Sequence, residues 1–400
     1  MHSAQSYATG FIPSLEGLRA VAALGIMLTH VAFQSGMDPA TFPGDLLARF
    51  DFFVPVFFAL SAFLLWRRHR LDHAQGYGIA RYYLNRLGRI FPAYLVLVVL
   101  VLLLLPEAAG ISWQVALANL FMVQLYIPDA LAPGMTHLWS LVVEVAFYLA
   151  MPLLALAVGA RRRLIRLSTI AALSVLSLGW PWLPFVAASP DEGVPNMQIF
   201  PPSYIAWFAV GLLAAEFENR VPDWLDRIFR WRWLWWGLAM LTAWVAAQEW
   251  YGPIGLTHPS AFEFNLRVLA GTVFAACLVV PYALAPGDRF LGTREMQALG
   301  RWSYGIFLWH LAVLTVAFPV LGIDLFSGSW IVFLILAAFT TVVSVVVAAI
   351  SYSLIEEPAR KFVRDLSSRL ERKQEPVGRH RQPEEGYQVV SETAGPGAQS

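Results

Sequence analysis

The chain of 400 residues is predicted to be an all-α, polytopic membrane protein with about ten transmembrane helices and both termini cytoplasmic. Three observations predict this. The composition is 58% hydrophobic and only 14% charged, where soluble domains carry about 25% charged residues. Ten apolar runs approach the roughly 20 residues needed to cross a bilayer. The cations fall almost wholly on one side of the alternation those runs define.

The runs are 15–35, 50–66, 90–106, 138–158, 164–186, 199–216, 233–250, 266–285, 300–321 and 329–355. The first follows "MHSAQSYATGFIPS", which lacks the basic region and small-residue cleavage site of a secretory signal, so this span is expected to stay in the protein. The second, "FDFFVPVFFALSAFLLW", is short and contains Pro55, which a membrane helix tolerates when neighbouring groups satisfy the freed carbonyl. The third follows the arginine-rich "RYYLNRLGRIFPAY", and the fourth carries Glu144 within "HLWSLVVEVAFYLAMPLL". The fifth to eighth are read as spans from apolar length. The sole cysteine, Cys277, lies in the eighth, so no intrachain disulfide forms. The ninth contains His310, and the tenth ends at "SLIEEP".

With the N-terminus on side one, segments 67–89, 159–166, 217–232, 286–301 and 360–381 hold every Lys and Arg except Arg19, Arg49 and Arg267. Positive residues stay inside, so side one is cytoplasmic. The outer segment 107–136 is long, nearly free of positive charge and apolar in its middle, and is expected to lie on or dip into the membrane surface. Residues 1–362 form the membrane domain, and 363–400 are expected to be a largely disordered cytoplasmic tail, polar and rich in Pro, Gly and Glu. A formal net charge of +1 excludes a nucleic-acid partner, which needs a concentrated basic surface. The partner read from composition is the lipid bilayer.

Within the first span, Arg19 and His30 are eleven residues apart, about 20° from three whole turns, so they share one helix face about 16 Å apart along the axis. Lipid penalises both groups, which therefore face protein or a water-filled cavity. Arginine at the cytoplasmic mouth can clamp an anionic group bidentately, and a neutral histidine deeper in can take a proton from a hydroxyl. The competing reading has Arg19 snorkelling to headgroups and His30 bonding to a neighbouring helix. Glu144 lies about 9 Å below the outer boundary, at a depth similar to that of His30, and could orient the imidazole as a general base requires. Its alternative is another donor and a packing role. His137, at the outer edge of the fourth span, is read as an interfacial residue rather than a catalyst. Arg81, Arg86 and Arg89 form either a cationic collar for nucleotide or pyrophosphate groups or an orienting, lipid-contacting patch. His310 reads first as an interhelical hydrogen bonder, and Glu356 with Glu357 as a helix-terminating turn tied to nearby arginines. No spacing of Cys or His marks a metal site and no Gly-rich phosphate loop is present. Ser61 in "SAF" has no base beside it in the motif.

The blocks "EGLRAVAALGIMLTH", "DFFVPVFFALSAFLL", "RYYLNRLGRIFPAY", "HLWSLVVEVAFYL", "LGRWSYGIFLWH" and "SLIEEP" resemble, in this order, the motif series of the membrane acyltransferase 3 family over roughly residues 12–362. Glu16, Ala62 and Glu357 depart from its commoner Asp, Gly and Arg. The resemblance implies a multi-pass enzyme of the cell (inner or plasma) membrane that moves an acyl group, commonly acetyl, from cytoplasmic acyl-CoA to a hydroxyl. The acceptor would be a carbohydrate, lipid-linked glycan or small natural product. Acyl-CoA enters as co-substrate, with no tightly bound cofactor. The resemblance implies catalysis by His30, places the family's motif glutamate on Glu144, and assigns Arg19, Arg81, Arg86 and Arg89 to the CoA end. Trp139, Ser140, Tyr304, His310 and Glu356 lie in the same blocks and are candidates for substrate contact or structure. A proton-coupled transporter using the same buried groups is the alternative.

Overall fold

The computed structural model describes residues 10–75, 78–253 and 257–374. Its principal helices are α1 (Pro13–Ser35), α2 (Phe53–Gln75), α3 (Ile79–Leu104), α4 (Trp139–Val158), α5 (Arg163–Ser177), α6 (Ile205–Phe217), α7 (Arg232–Ala246), α8 (Ala261–Leu284), α9 (Arg294–Leu321), α10 (Trp330–Ser351) and α11 (Glu357–Gln374). Each of the ten expected spans has a helix. Eight segments among the described residues are long and apolar enough to cross a membrane. The other two, α6 and α7, have 13 and 15 residues, about 20 and 22 Å at 1.5 Å per residue. Most of α6 is buried between α2, α8 and α5, so neighbouring helices shield its short ends from lipid.

Local chemistry sets the helix ends. Pro13 opens α1 at its first turn, where no hydrogen bond is lost, and Gly36 closes it in the left-handed region at φ 78°. Ser260 and Glu263 form a reciprocal capping box at α8, and Thr293 caps α9. Pro55 proves to sit in the first turn of α2, where its missing N–H costs nothing. Gly211 of α6 meets the backbone of Ala59 and Phe63 on α2, and a Cβ there would overlap Ala59 O. Membrane helices associate through such close backbone approach because lipid supplies no hydrophobic drive between them.

The two ends of the bundle separate as the charges require. At one end Arg67 reaches the Gly10 carbonyl and Glu218, and Arg232 reaches the carbonyls of Ala285 and Gly287. Glu216, fully buried there, accepts both Arg166 and Trp66. At the other end Arg49 donates to Ala246 O, and the 322–329 loop bonds back to Gln34 and Ser35. The long outer segment carries a helix at Trp113–Leu120 and folds over α3, where Tyr94 donates to Asn119 O. Trp113 and Phe121 are left exposed.

Two sequence expectations change. The third span begins at Ile79, so the arginine collar lies on the helix itself and projects at helical spacing. The chain does not stop at Glu356 and Glu357. A π-helical turn over Tyr352–Glu356 passes directly into α11, with Pro358 accommodated in its first turn. Residues 363–374, expected within the tail, are therefore helical, and 375–400 lie outside the described residues.

Candidate active site

α1 crosses the centre of the bundle against α9, α2 and α10, so both polar groups on its stripe face protein. His30 is half-buried, with Nδ1 2.9 Å from the Ile26 carbonyl oxygen. A carbonyl can only accept, so Nδ1 carries the proton and Nε2 keeps the lone pair. His310 on α9 is fully buried, its Nδ1 2.6 Å from Phe307 O. The same reasoning leaves its Nε2 as an acceptor, 3.1 Å from His30 Nδ1. His30 is thus oriented by a backbone carbonyl and a second imidazole, and a proton taken at Nε2 would place charge beside two acceptors.

His137 completes the cluster and corrects its reading as an interfacial residue. The turn Thr136–Leu138 tucks it inward to 3% exposure, its ring centroid 4.6 Å from His310 and 6.1 Å from His30. Neither of its ring nitrogens has a hydrogen-bond partner among the described residues. Its neighbour in the helical register, Ser140, spends its hydroxyl on the His137 carbonyl at 3.0 Å.

Glu144 does not bond to His30, so the expected orienting pair does not form. Its Oε1 accepts from Ser61 of α2 and, at 2.5 Å, from Tyr148 one turn along α4. The reason is depth: Glu144 shares a cavity with Ile26, one turn nearer the cytoplasm than His30. Ser61, which had no base in its own motif, gains a carboxylate 83 residues away in sequence.

Arg19 does not snorkel. It is 7% exposed, its Nε donates to Ser303 at 3.3 Å, and its guanidinium lies 5.8 Å from the Phe57 ring centroid. No carboxylate lies within ion-pair distance of it among the described residues. A buried cation without a counter-ion is costly and suits a site that receives an anion. With Glu144, Tyr304, Phe307 and Ile26 it lines a cavity of about 30 Å³, one water's share of liquid volume. Tyr304 is fixed there by donating to Ile90 O at 2.8 Å.

Toward the cytoplasm, Arg81, Arg86 and Arg89 line one basin of about 430 Å³ with Arg68, Arg360 and Arg364. The sequence pattern showed the first three, whereas α11 contributes the last two by folding back on α3. Arg86 sits 5.8 Å from the Tyr148 ring centroid, linking the basin to the Glu144 group. The π-turn brings Glu356 to 4% exposure against Gly305, with Oε1 unpartnered among the described residues, while Glu357 pairs outside with Lys361 at 2.8 Å. Trp139 stands on the outer side of Ser140, its ring 5.3 Å from that of Tyr204. No group of three or more His, Cys, Asp or Glu among the described residues could hold a metal ion.

Basin, buried arginine, carboxylate cluster and histidines thus follow one another across the bundle. Comparison with known proteins meets this geometry from a separate direction. The chain matches the acyltransferase domain family over residues 12–349. It is 27% identical over 396 residues to Nodulation protein 10 of Rhizobium leguminosarum bv. viciae, covering 92% of this chain and 99% of that protein. It is 26% identical over 375 residues to acyltransferase MdmB of Streptomyces mycarofaciens, covering 88% and 92%. Peptidoglycan O-acetyltransferase OatA of Listeria monocytogenes is 23% identical over 383 residues, which take in 89% of this chain and 57% of that longer protein. No solved structure matches. The chain belongs to the acyltransferase 3 family and is an integral-membrane O-acyltransferase.

Proposed function

We propose that this enzyme takes an acetyl group from cytoplasmic acyl-CoA and places it on a hydroxyl of a carbohydrate, envelope glycan or natural product at a bacterial plasma membrane. The observation that carries the reading is the polarity of the path, with a basic basin at the cytoplasmic end and an imidazole whose Nε2 keeps its lone pair at the far end. Names among the relatives agree with it, since one is called a peptidoglycan O-acetyltransferase.

In this reading the CoA phosphates rest in the basin on Arg81, Arg86 and Arg89, whose planar forks suit phosphate oxygens. Arg19, one layer deeper, takes a polar group of the pantetheine arm or the thioester oxygen as negative charge develops on it. The inner cavity holds about one water, so the arm enters by displacing side chains around Phe57 and Phe307. The His30 Nε2 removes the acceptor hydroxyl proton as that oxygen attacks the thioester carbon, and the C–S bond breaks to release CoA thiolate. The imidazolium then returns its proton to the thiolate. Glu144, Ser61 and Tyr148 hold α2 against α4 beside this path. A carrier moving solute through the same residues would consume no thioester.

The test is thiol release from acetyl-CoA by the purified protein in nanodiscs, with host envelope extract as acceptor. Acceptor-dependent release is expected. Absence of release with acetyl-CoA and longer acyl-CoAs would overturn the reading.

A further inference from the structure

The outer side of the bundle holds a second cavity of about 430 Å³ that no step above uses. It is lined by outer helix ends and outer connections, including Trp139, Asp51, Gln198, Tyr204, His258 and Arg267. We infer that this vestibule seats the acceptor and is built for an uncharged, polyhydroxylated ring such as one glycosyl unit. This deepens the proposed acyl transfer and rests on it.

Four features carry the inference. The first is an aromatic wall. Tyr204 lies 5.3 Å from Trp139 and 4.4 Å from Trp207 by ring centroids, and such faces attract the polarised C–H groups of a saturated sugar ring. Second, buried polar atoms among the lining residues lack partners among the described residues. Gln198 is 2% exposed and donates its Nε2 to Pro259 O at 3.2 Å, but its Oε1 has no partner. Arg267 donates to Pro253 O and its Nε has none. An unpaired acceptor and an unpaired donor in one wall match hydroxyls, which do both. Orphaned buried groups are otherwise costly. His258 is held by Asn196, with Nε2 3.3 Å from Oδ1, which leaves its Nδ1 as a further acceptor.

The third feature is charge. Asp51 and Arg267 contribute one charge of each sign to the wall, so the vestibule has no net preference for an ion. Arg267 is one of three cations that the inside bias of the charges leaves unexplained, and the vestibule gives it a place. The fourth is continuity. Val54 lines both this vestibule and the inner cavity of Arg19 and Glu144. The same inner cavity includes Ile26 and Phe307, whose carbonyls hold His30 and His310. A ring seated outside is therefore separated by the Val54 side chain from the cavity of Arg19 and Glu144, whose wall borders the histidines. The volume lies within the range of about 300–1,000 Å³ of ordinary ligand pockets.

The experiment uses the full chain in nanodiscs, with acetyl-CoA and a panel of neutral methyl glycosides and chitotetraose as acceptor probes, read by product mass. Saturation-transfer NMR reads glycoside binding separately. Trp139→Ala and Gln198→Leu should each raise the glycoside KM at least ~10-fold, the effect of losing one ring contact or hydrogen bond, with the acetyl-CoA KM within twofold. Retained acetyl-CoA binding shows that each variant is folded, and Trp139→Phe should recover most of the affinity. An unchanged glycoside KM in both variants would overturn the inference. So would a panel that neither binds nor accepts while envelope extract still drives thiol release. Glycoside binding that depends on Trp139 without any thiol release would instead keep the vestibule and remove the acyl-CoA reading.

Discussion

His310→Phe isolates what the second imidazole does for the first. Phenylalanine keeps the ring volume beside His137 and Phe307 but removes the Nε2 acceptor 3.1 Å from His30 Nδ1. While His30 is neutral, its Nδ1 proton still has Ile26 O at 2.9 Å, so ground-state orientation survives. The loss falls where His30 carries a proton, when Nδ1–H becomes a charged donor. A hydrogen bond to a charged group contributes about 1.5–3 kcal/mol, and 1.36 kcal/mol is tenfold in rate, so kcat should fall by roughly 10- to 150-fold. The acetyl-CoA KM should stay within about threefold, because His310 touches neither the basin nor Arg19. His310→Gln, which can return an amide oxygen near the Nε2 position, should recover most of the rate. The assay is thiol release at saturating acceptor, with monodispersity in nanodiscs as the folding control. A folded Phe variant with wild-type kcat, or one altered only in acetyl-CoA KM, would refute the role.

Arg19→Gln removes a buried cation that has no carboxylate within ion-pair distance among the described residues, so the protein should remain folded while kcat/KM for acetyl-CoA falls by about 10- to 100-fold, as expected for a lost charge-assisted contact. Steady-state kinetics beside a thermal-shift measurement check both halves. Replacing Arg86 and Arg89 together with Gln should weaken acetyl-CoA binding and flatten its dependence on ionic strength, since screening acts on the removed charges; titrations at low and high salt read this directly. Glu144→Leu removes the acceptor that Ser61 and Tyr148 share and leaves them only the 3.3 Å bond from Tyr148 to Ser61, costing about 1–3 kcal/mol for the one donor left without a partner, whereas Glu144→Gln keeps an acceptor and should cost less; detergent melting curves order the two. Gly211→Leu forces a side chain into the Ala59 backbone and should prevent accumulation of folded protein, seen as loss of the monodisperse peak.

The span pattern was legible because bilayer thickness and charge asymmetry act on long windows, and every run has its helix. The helical register also placed Arg19 and His30 on one inward stripe, since eleven residues nearly close three turns. What the sequence hid is which helices meet. Depth along two spans put Glu144 level with His30, but lateral packing gave Glu144 to Ser61 and Tyr148, and gave His30 to His310 across 280 residues. His137 read as interfacial because it opens its span; only the tight turn before α4 reveals its burial. Glu356 followed the familiar signal of a carboxylate pair before proline, yet a π-turn just before α11, whose first turn takes Pro358, turns the carboxylate inward. The vestibule is assembled from four separate outer stretches of chain, and apart from Arg267 none of its polar residues breaks the sequence pattern.

The central claim is that His30 Nε2 takes the proton from the acceptor hydroxyl. Single-turnover transfer from saturating acetyl-CoA to envelope acceptor, wild type beside His30→Ala in nanodiscs, tests it most directly when acetyl-CoA binding is measured on the same samples. The expected result is binding within about threefold of wild type and transfer slowed by roughly 10²–10⁴-fold, the contribution of a positioned general base. Transfer by the variant at close to the wild-type rate, with acetyl-CoA bound, would contradict it.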